Sequence, residues 1–376
     1  MKTAADFMRP SSLHAIATCP GRPLMEAEFV NRYGEPESSP EASMGNKAHA
    51  YVADAINGWK LAQETGEAGA CWDDAITNAC AAATAGGMGP WDVWCIRSCL
   101  EFARGLIAKH GIEPDHVLVE HPLEMAGVGM KKSGTADLVL VIPFRLVIVT
   151  DWKYTYLDQG DASEHDQLQA YATAGAATFQ VDDVLVYLYA PRAEKNKRAT
   201  AAHFNAKSLA ANATWTRAVI ARSSALNPEL CAAYDACLYC RALTRCAAAK
   251  EFFMNAQEAL HVLGDPLDPD AWGQLAAAAK IAEKFGDDAK DLVKTHIMKG
   301  GVATGWCVGS GRTIRSCTNT TAALERLNVA GMATIAGDAL TLSIAKLPDE
   351  AVQVIADLVH EKASAGSLKA VKGKAA

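Results

Sequence analysis

The stretch SGTADLVLVIPFRLVIVTDWKYT (133–155) places Asp137 and Asp151 at the ends of two apolar runs, with Lys153 two residues further on. A carboxylate at such a position is costly to bury unless an opposite charge stands beside it. The two runs read as a tight antiparallel hairpin turning at Pro143, Phe144 and Arg145, and that register sets Asp137 opposite Asp151 on one face. Their Cβ atoms would lie roughly 5 Å apart. Side chains alternate along a strand, so Lys153 returns to the same face. Oxygen ligands at this separation suit a hard divalent ion such as Mg2+ or Mn2+. The chemistry permitted is metal-assisted hydrolysis, with Lys153 orienting water or balancing charge on a phosphate. The competing reading is a surface hairpin with a Lys153–Asp151 salt bridge, and the opposed Asp137 weighs against it.

A second constellation is CLYCRALTRC, which gives Cys237, Cys240 and Cys246 in a Cys-x2-Cys-x5-Cys run. Three thiols so spaced need a fourth ligand to close a tetrahedral or cubane site. Cys71, Cys80, Cys95, Cys99, Cys307 and Cys317 lack ligand spacing and are expected to be buried or inert. With 11 cysteines in a chain whose N-terminus has no apolar signal core, thiols or metal ligands are expected rather than disulfides.

The elements that must position these groups follow from periodicity. GNKAHAYVADAINGWKLAQE and WDVWCIRSCLEFARGLIAKHG have helical spacing, with AAATAGGMGP as a loop between them. HVLVEHPLEM, GTADLVLVI and FRLVIVTDWKY read as strands. GDASEHDQLQAYATAGAA reads as a helix with an exposed acidic first turn, and DDVLVYLYAP as a buried strand. This order predicts a mixed α/β core. After the basic loop PRAEKNKRAT, the chain is expected to turn helical to about Asn255. From Gly264 the expectation is a long helix (Asp270 to Lys299), a Gly-rich hairpin (GGVATGWCVGSGRTIRS) and two more helices. Trp152 and Tyr154 fall on the strand face opposite Lys153 and are expected in the core.

The segments GTAD, DWK and QLQAY, in this order, resemble the RecB-like branch of the PD-(D/E)xK nuclease superfamily. That branch carries Gly-x-x-Asp, then (Asp/Glu)-x-Lys, then Gln-x-x-x-Tyr. Gln167 and Tyr171 stand four apart and share one helix face. The resemblance covers about residues 11 to 255. It implies an α/β restriction-endonuclease-like core, a mixed sheet flanked by helices, with a helical N-terminal part and a small α+β C-terminal extension. The implied division is a nuclease domain over 1–258 (helical insertion about 50–112), a C-terminal domain over 264–362 and a disordered tail over 363–376. His49 is implied as a further metal ligand beside Asp137, Asp151 and the Asp151–Trp152 carbonyl region. Lys153 is implied as the catalytic cation, and Gln167 and Tyr171 as positioning the substrate or Lys153. Glu120 matches an acidic position often found on the family's first strand. The iron–sulfur subset of this branch is similar in having one N-terminal cysteine, often before Pro, and three after the core. It implies a [4Fe–4S] cluster on Cys19, Cys237, Cys240 and Cys246, with zinc as the rival occupant and Cys231 as the other fourth ligand.

The implied activity is metal-dependent DNA hydrolysis, exonuclease rather than endonuclease, in phage DNA recombination or processing. DNA is then the partner, alongside a single-strand annealing or other recombination protein, in the cytoplasm of a host cell. Lys131, Lys132, Arg192, Lys195, Lys197 and Arg198 are the candidate phosphate contacts. A net charge of −7 argues against a generally basic nucleic-acid coat but not against a local groove. No run of about 18 apolar residues lacks charges, so no membrane span is expected. No Gly-x-x-x-x-Gly-Lys-(Ser/Thr) loop occurs, so no P-loop motor is expected. Two other readings remain: a non-catalytic DNA-binding scaffold of the same fold, and a zinc-clasped structural protein.

Overall fold

The computed structural model describes residues 1–36, 40–66, 71–154, 160–252, 269–304, 306–309, 313–317, 320–330, 349–363 and 368–370. The chain divides into two compact units, Met1–Lys284 and Phe285–Ala376. The sequence division at 258–264 falls among residues outside those described. The unit boundary instead lies within one long helix, Pro269–Met298.

The first unit is built on a five-stranded mixed sheet of order β1-β2-β3-β4-β5. Its strands are β1 (Val117–Leu123), β2 (Gly134–Ile142), β3 (Leu146–Trp152), β4 (Val184–Tyr189) and β5 (Ala199–Phe204). All neighbours are antiparallel except β3 and β4. A parallel pair needs a crossover, and the helix α6 (Asp166–Phe179) supplies it. The hairpin turn closes through the Arg145 amide on the Ile142 carbonyl at 3.0 Å, with exposed Phe144 in the left-handed region (φ 59°).

Strand parity divides the core into two layers. Leu138, Leu140 and Ile148 pack against α3 (Pro40–Thr65), α4 (Trp72–Ala85) and α5 (Pro90–His110). Val139, Val141, Val147 and Val149 face the layer that holds α1 (Leu13–Thr18), α6 and α7 (Ala206–Ser223). Strands covered on both faces read as near-continuous apolar runs, as β2 and β3 do. Helices α3 to α5, expected as an insertion, form the whole cover of one face. Trp152 lies in that cover, 2% exposed, against Phe102 and Tyr189.

Local chemistry sets the ends of these helices. α5 begins with Pro90 at its first position and stops at Gly111 in the left-handed conformation (φ 60°). α7 begins at Asn205, whose Oδ1 accepts from the Lys207 and Ser208 amides, each at 3.1 Å.

Several expectations are corrected. The helical call after the basic loop overlooked β5, because the edge strand ATAAHF is Ala-rich and half exposed. The loop between the first helices begins at Gly86, since α4 runs through Ala85. The first acidic residues of the GDASEHDQ stretch precede α6, which starts at Asp166. In the second unit the Gly-rich segment is not a hairpin. Strand β6 (Trp306–Val308) pairs with β9 (Leu368–Ala370), and β7 (Thr313–Cys317) pairs with β8 (Val359–Ala363). β9 therefore lies within the expected tail. Among the described residues, no helix is long and apolar enough to cross a membrane.

Ile148 is fully buried between Leu140 and Leu185 at the middle of the sheet. Ile148→Ala is expected to lower unfolding stability by about 3 kcal/mol, through lost transfer energy and a residual cavity. A urea titration should show a lower midpoint with an unchanged slope.

Candidate active site

The register does more than oppose two aspartates. β2 and β3 pair Leu138 with Thr150, so one step further Asp137 stands opposite Asp151. β1 and β2 pair Val119 with Leu138 and His121 with Ala136, which sets Glu120 opposite Asp137. Three carboxylates thus cross three adjacent strands. The Glu120 backbone sits at φ 46°, a left-handed conformation that costs a non-glycine residue about 1 kcal/mol or more.

His49, from α3, places Nδ1 3.1 Å from Asp137 Oδ1 and 3.9 Å from Glu120 Oε1. One ligand atom from each of His49, Glu120 and Asp137 lies within 4.8 Å of the others. The second Asp137 oxygen accepts the Trp152 amide at 2.6 Å, which fixes the carboxylate between strand and helix. Tyr154 packs edge-on against the His49 ring, with centroids 5.0 Å apart.

Asp151 stands one step along the row and is 3% exposed. Its Oδ2 lies 2.7 Å from Lys153 Nζ, without a well-angled hydrogen bond. Its Oδ1 accepts from Gln167 Nε2 at 3.0 Å. The Gln167 amide is fully committed. Its oxygen accepts from Lys153 Nζ at 3.0 Å, and its nitrogen also donates to Tyr171 Oη at 3.1 Å. Tyr171 in turn donates to the Thr135 carbonyl at 2.7 Å. A chain of hydrogen bonds therefore runs from α6 through the lysine and aspartate back to β2.

Gly134 explains the first residue of the GTAD segment. A Cβ there would meet Tyr171 Cε1 at 2.5 Å, and Met125 Cε and Pro10 Cγ at 2.8 Å. Only glycine lets the tyrosine ring lie against the strand. Gly134→Ala is expected to cost about 2 kcal/mol through overpacking, read as a fall in Tm, and to loosen the Gln167 relay.

The electrostatics suit a cation. Burial, then repulsion from Asp151, pushes the Asp137 carboxyl up, while the hydrogen bonds from His49 and Trp152 oppose the shift. Burial and Asp137 push Glu120 up as well. For His49, burial disfavours the charge, but hydrogen bonding and attraction to Asp137 outweigh it and raise the pKa above 6.5. The proton between His49 and Asp137 sits among the same atoms that would hold a divalent ion. One imidazole and two carboxylates, from His49, Glu120 and Asp137, lie within reach of one ion, and Asp151, outside that group, holds a buried oxygen with no hydrogen bond; such oxygen-rich donors fit Mg2+ or Mn2+.

A pH prediction follows. The folded pKa of His49 lies above its unfolded value, so the His49–Asp137 pair contributes fully below pH 6.5 and fades as pH rises through the folded value. Metal binding needs the imidazole unprotonated and so strengthens over the same range. The rise in Tm given by Mn2+ should therefore grow from about pH 6 to about pH 8. Asp137→Asn should abolish it.

A cavity of about 830 Å3 opens beside Lys153 and Gln167 and is also lined by His14, His165, Arg22 and Tyr239. His165 corrects the expectation of an exposed first turn. It is largely buried, its Nδ1 has no hydrogen-bond partner, and burial lowers its pKa. Asp166 is held by His14 Nδ1 at 3.0 Å. Neither contact had a sequence signal, because His14 and Asp166 are distant in the chain.

At the other end of that cavity the cysteines converge. Cys19 caps the C-terminus of α1, Cys237 ends the short helix α8 (Tyr234–Cys237), and Cys240 and Cys246 follow in turns. Helices α1 and α8 pack together. Burial, foremost, raises the thiol pKa values of Cys19, Cys237 and Cys240. Cys19 and Cys237 also feel one another or Cys246, and Cys240 feels Cys237. Cys231 approaches Cys19 through its amide, which donates to Cys19 Sγ at 3.4 Å. Among the described residues, no three thiols have sulfurs within 4.8 Å of one another. Thiol donors of this number suit either occupant, an iron–sulfur cluster or zinc. Of the remaining cysteines, Cys80, Cys95 and Cys99 are buried, but Cys71 and Cys307 are exposed. The side chain of Cys317 lies outside those described.

The basic candidates separate. Arg192 pairs with Asp92 on α5, and Arg198 stacks 4.9 Å above Trp94 and donates to the Ala193 carbonyl, so both pin their loop to α5. Lys132 pairs with Asp6 at 3.0 Å. Lys131, Lys195 and Lys197 are exposed.

The chain belongs to the family described as "Protein of unknown function (DUF2800)", which it matches over residues 7–361. Comparison with curated proteins gives no match.

Proposed function

We propose that this chain is a Mg2+- or Mn2+-dependent deoxyribonuclease with a RecB-like PD-(D/E)xK site and a [4Fe–4S] clasp, acting on DNA ends in phage recombination or processing. The observation that carries the reading is the buried row of Asp137 and Asp151 with Lys153 fixed by Gln167. A salt bridge on a surface hairpin would need neither the burial nor the relay through Tyr171.

Bound at His49, Asp137 and Asp151, with Glu120 beside them, the ion would supply a Lewis acid for a phosphodiester oxygen and an acidified water. The residues do the rest. Asp137 is held on two sides, by His49 and the Trp152 amide, so its oxygens are already oriented. Lys153 donates to Gln167, stands as an ion pair 2.7 Å from Asp151 and borders the cavity, where its Nζ can meet a phosphate oxygen or the attacking water. Tyr171 keeps the Gln167 amide from flipping and so holds the lysine in place. Exposed Lys131, Lys195 and Lys197 would contact the DNA backbone. The cluster on Cys19, Cys237, Cys240 and Cys246 would tie the two ends of this domain together.

The test uses anaerobically purified full-length chain with Mg2+ or Mn2+, on end-labelled linear and covalently closed DNA. Loss of linear DNA is expected, with Asp151→Ala and Lys153→Ala slower by about 100-fold or more. Cutting of closed circles would make it an endonuclease. DNA binding without cleavage by cluster-loaded protein would overturn the reading in favour of a scaffold.

A further inference from the structure

α2 (Arg22–Tyr33) begins three residues after Cys19 and carries two buried charges one turn apart. Arg22 is 7% exposed and Glu26 5%. Apart from the residues of the candidate active site, they are the only charged side chains so buried among the described residues. Arg22 Nε donates to Glu26 Oε1 at 3.1 Å. Its two terminal nitrogens donate to the carbonyls of Ala236 at 3.1 Å and Tyr239 at 2.9 Å. Those carbonyls immediately precede Cys237 and Cys240. Glu26 Oε1 also accepts the Arg241 amide, the residue after Cys240, at 3.2 Å. The two terminal nitrogens of the guanidinium and the glutamate oxygen are thus committed to one short loop, and Nε joins the two side chains.

Burying an ion pair is costly, and replacing it with apolar residues is often neutral or stabilising. Such a pair needs a reason beyond stability. Here the contacts the pair makes beyond itself fall on the backbone around two thiols. We propose that the Arg22–Glu26 pair is a preformed template for the Cys237–Cys240 loop and the countercharge of the cluster it would hold. The inference rests on the cluster reading above.

The charge argument rests on the same geometry. Four thiolates around a cluster would leave net negative charge in a buried place, and Arg22 is the buried cation beside them. A cation at this position also favours the reduced, more negative cluster, so it raises the reduction potential.

Arg22→Met removes charge and fork, whereas Arg22→Lys keeps the charge and loses the planar fork. In cluster-free full-length chain, hydrogen exchange should show the Arg241 amide protected in the wild type and exposed in Arg22→Lys. Protection in the central strands should be unchanged. After anaerobic reconstitution with ferrous iron and sulfide, followed by absorbance near about 400 nm and iron per chain, both variants should hold the cluster about tenfold less well than the wild type. In the fraction that loads, Arg22→Met should shift the potential negative and Arg22→Lys should not. If Arg22→Met does not fold, Arg22→Lys and Glu26→Gln decide the template through exchange and iron retention. An unprotected wild-type loop, or variants matching the wild type in retention and potential, overturns the inference and leaves the cluster standing. A folded wild type with a protected loop that takes up no iron overturns the cluster reading itself, and the countercharge role with it.

Discussion

The ladder between β2 and β3 holds the candidate site together, because a strand shifted by one residue turns every side chain to the other face. In the observed register Asp151 meets Gln167 on the α6 side, where Val147 and Val149 also lie, while Asp137 meets His49 of α3. Leu138, Leu140 and Ile148 fill the α3–α5 side. A slip would turn Asp151 toward an apolar helical layer and expel the leucines that fill it. The penalty for that exchange is what keeps the acids opposed. His49, Lys153 and Gln167 then act on an arrangement the core has already fixed.

Much of this was legible because strand patterns are local. The hairpin turn, the boundaries of β2 and the pairing of the two aspartates follow from a turn and an alternation contained in 23 consecutive residues. Gln167 and Tyr171 were legible by their four-residue spacing on one helix. Glu120 was visible as an acid, but not its place opposite Asp137, which depends on β1 joining the sheet in a particular register. β5 was missed because alanine and threonine carry little strand signal and the strand lies at an edge. The partners of Arg192 and Arg198 lie on α5, a hundred residues earlier, so a basic loop looked free when its arginines were committed.

Two buried polar networks serve the molecule in different ways. At the carboxylate row the charges are of one sign and are pushed toward protonation, a conflict that an added cation relieves. Around Arg22 the guanidinium reaches one carboxylate and two backbone carbonyls. The first network is poised to change its charge on binding, while the second holds a loop still. Both border one cavity, and that cavity joins the lysine end of the site to the cysteine loop.

A clasp on the four cysteines, as proposed, would also have a consequence for the order in which the chain is assembled. Cys19 is made early, but Cys237, Cys240 and Cys246 follow only after more than half of the chain has been synthesised. Contacts of such sequence separation form late, because the intervening loop must first be closed. The sheet strands β1 to β5 all lie between the two ends of the clasp, so they can leave the ribosome and pair before it shuts. A nascent chain would thus carry a formed sheet with α1 and α2 waiting beside it, and the thiols would meet last. The domain's final step of maturation is then a closure of its two ends, timed by translation rather than by the speed of β-pairing.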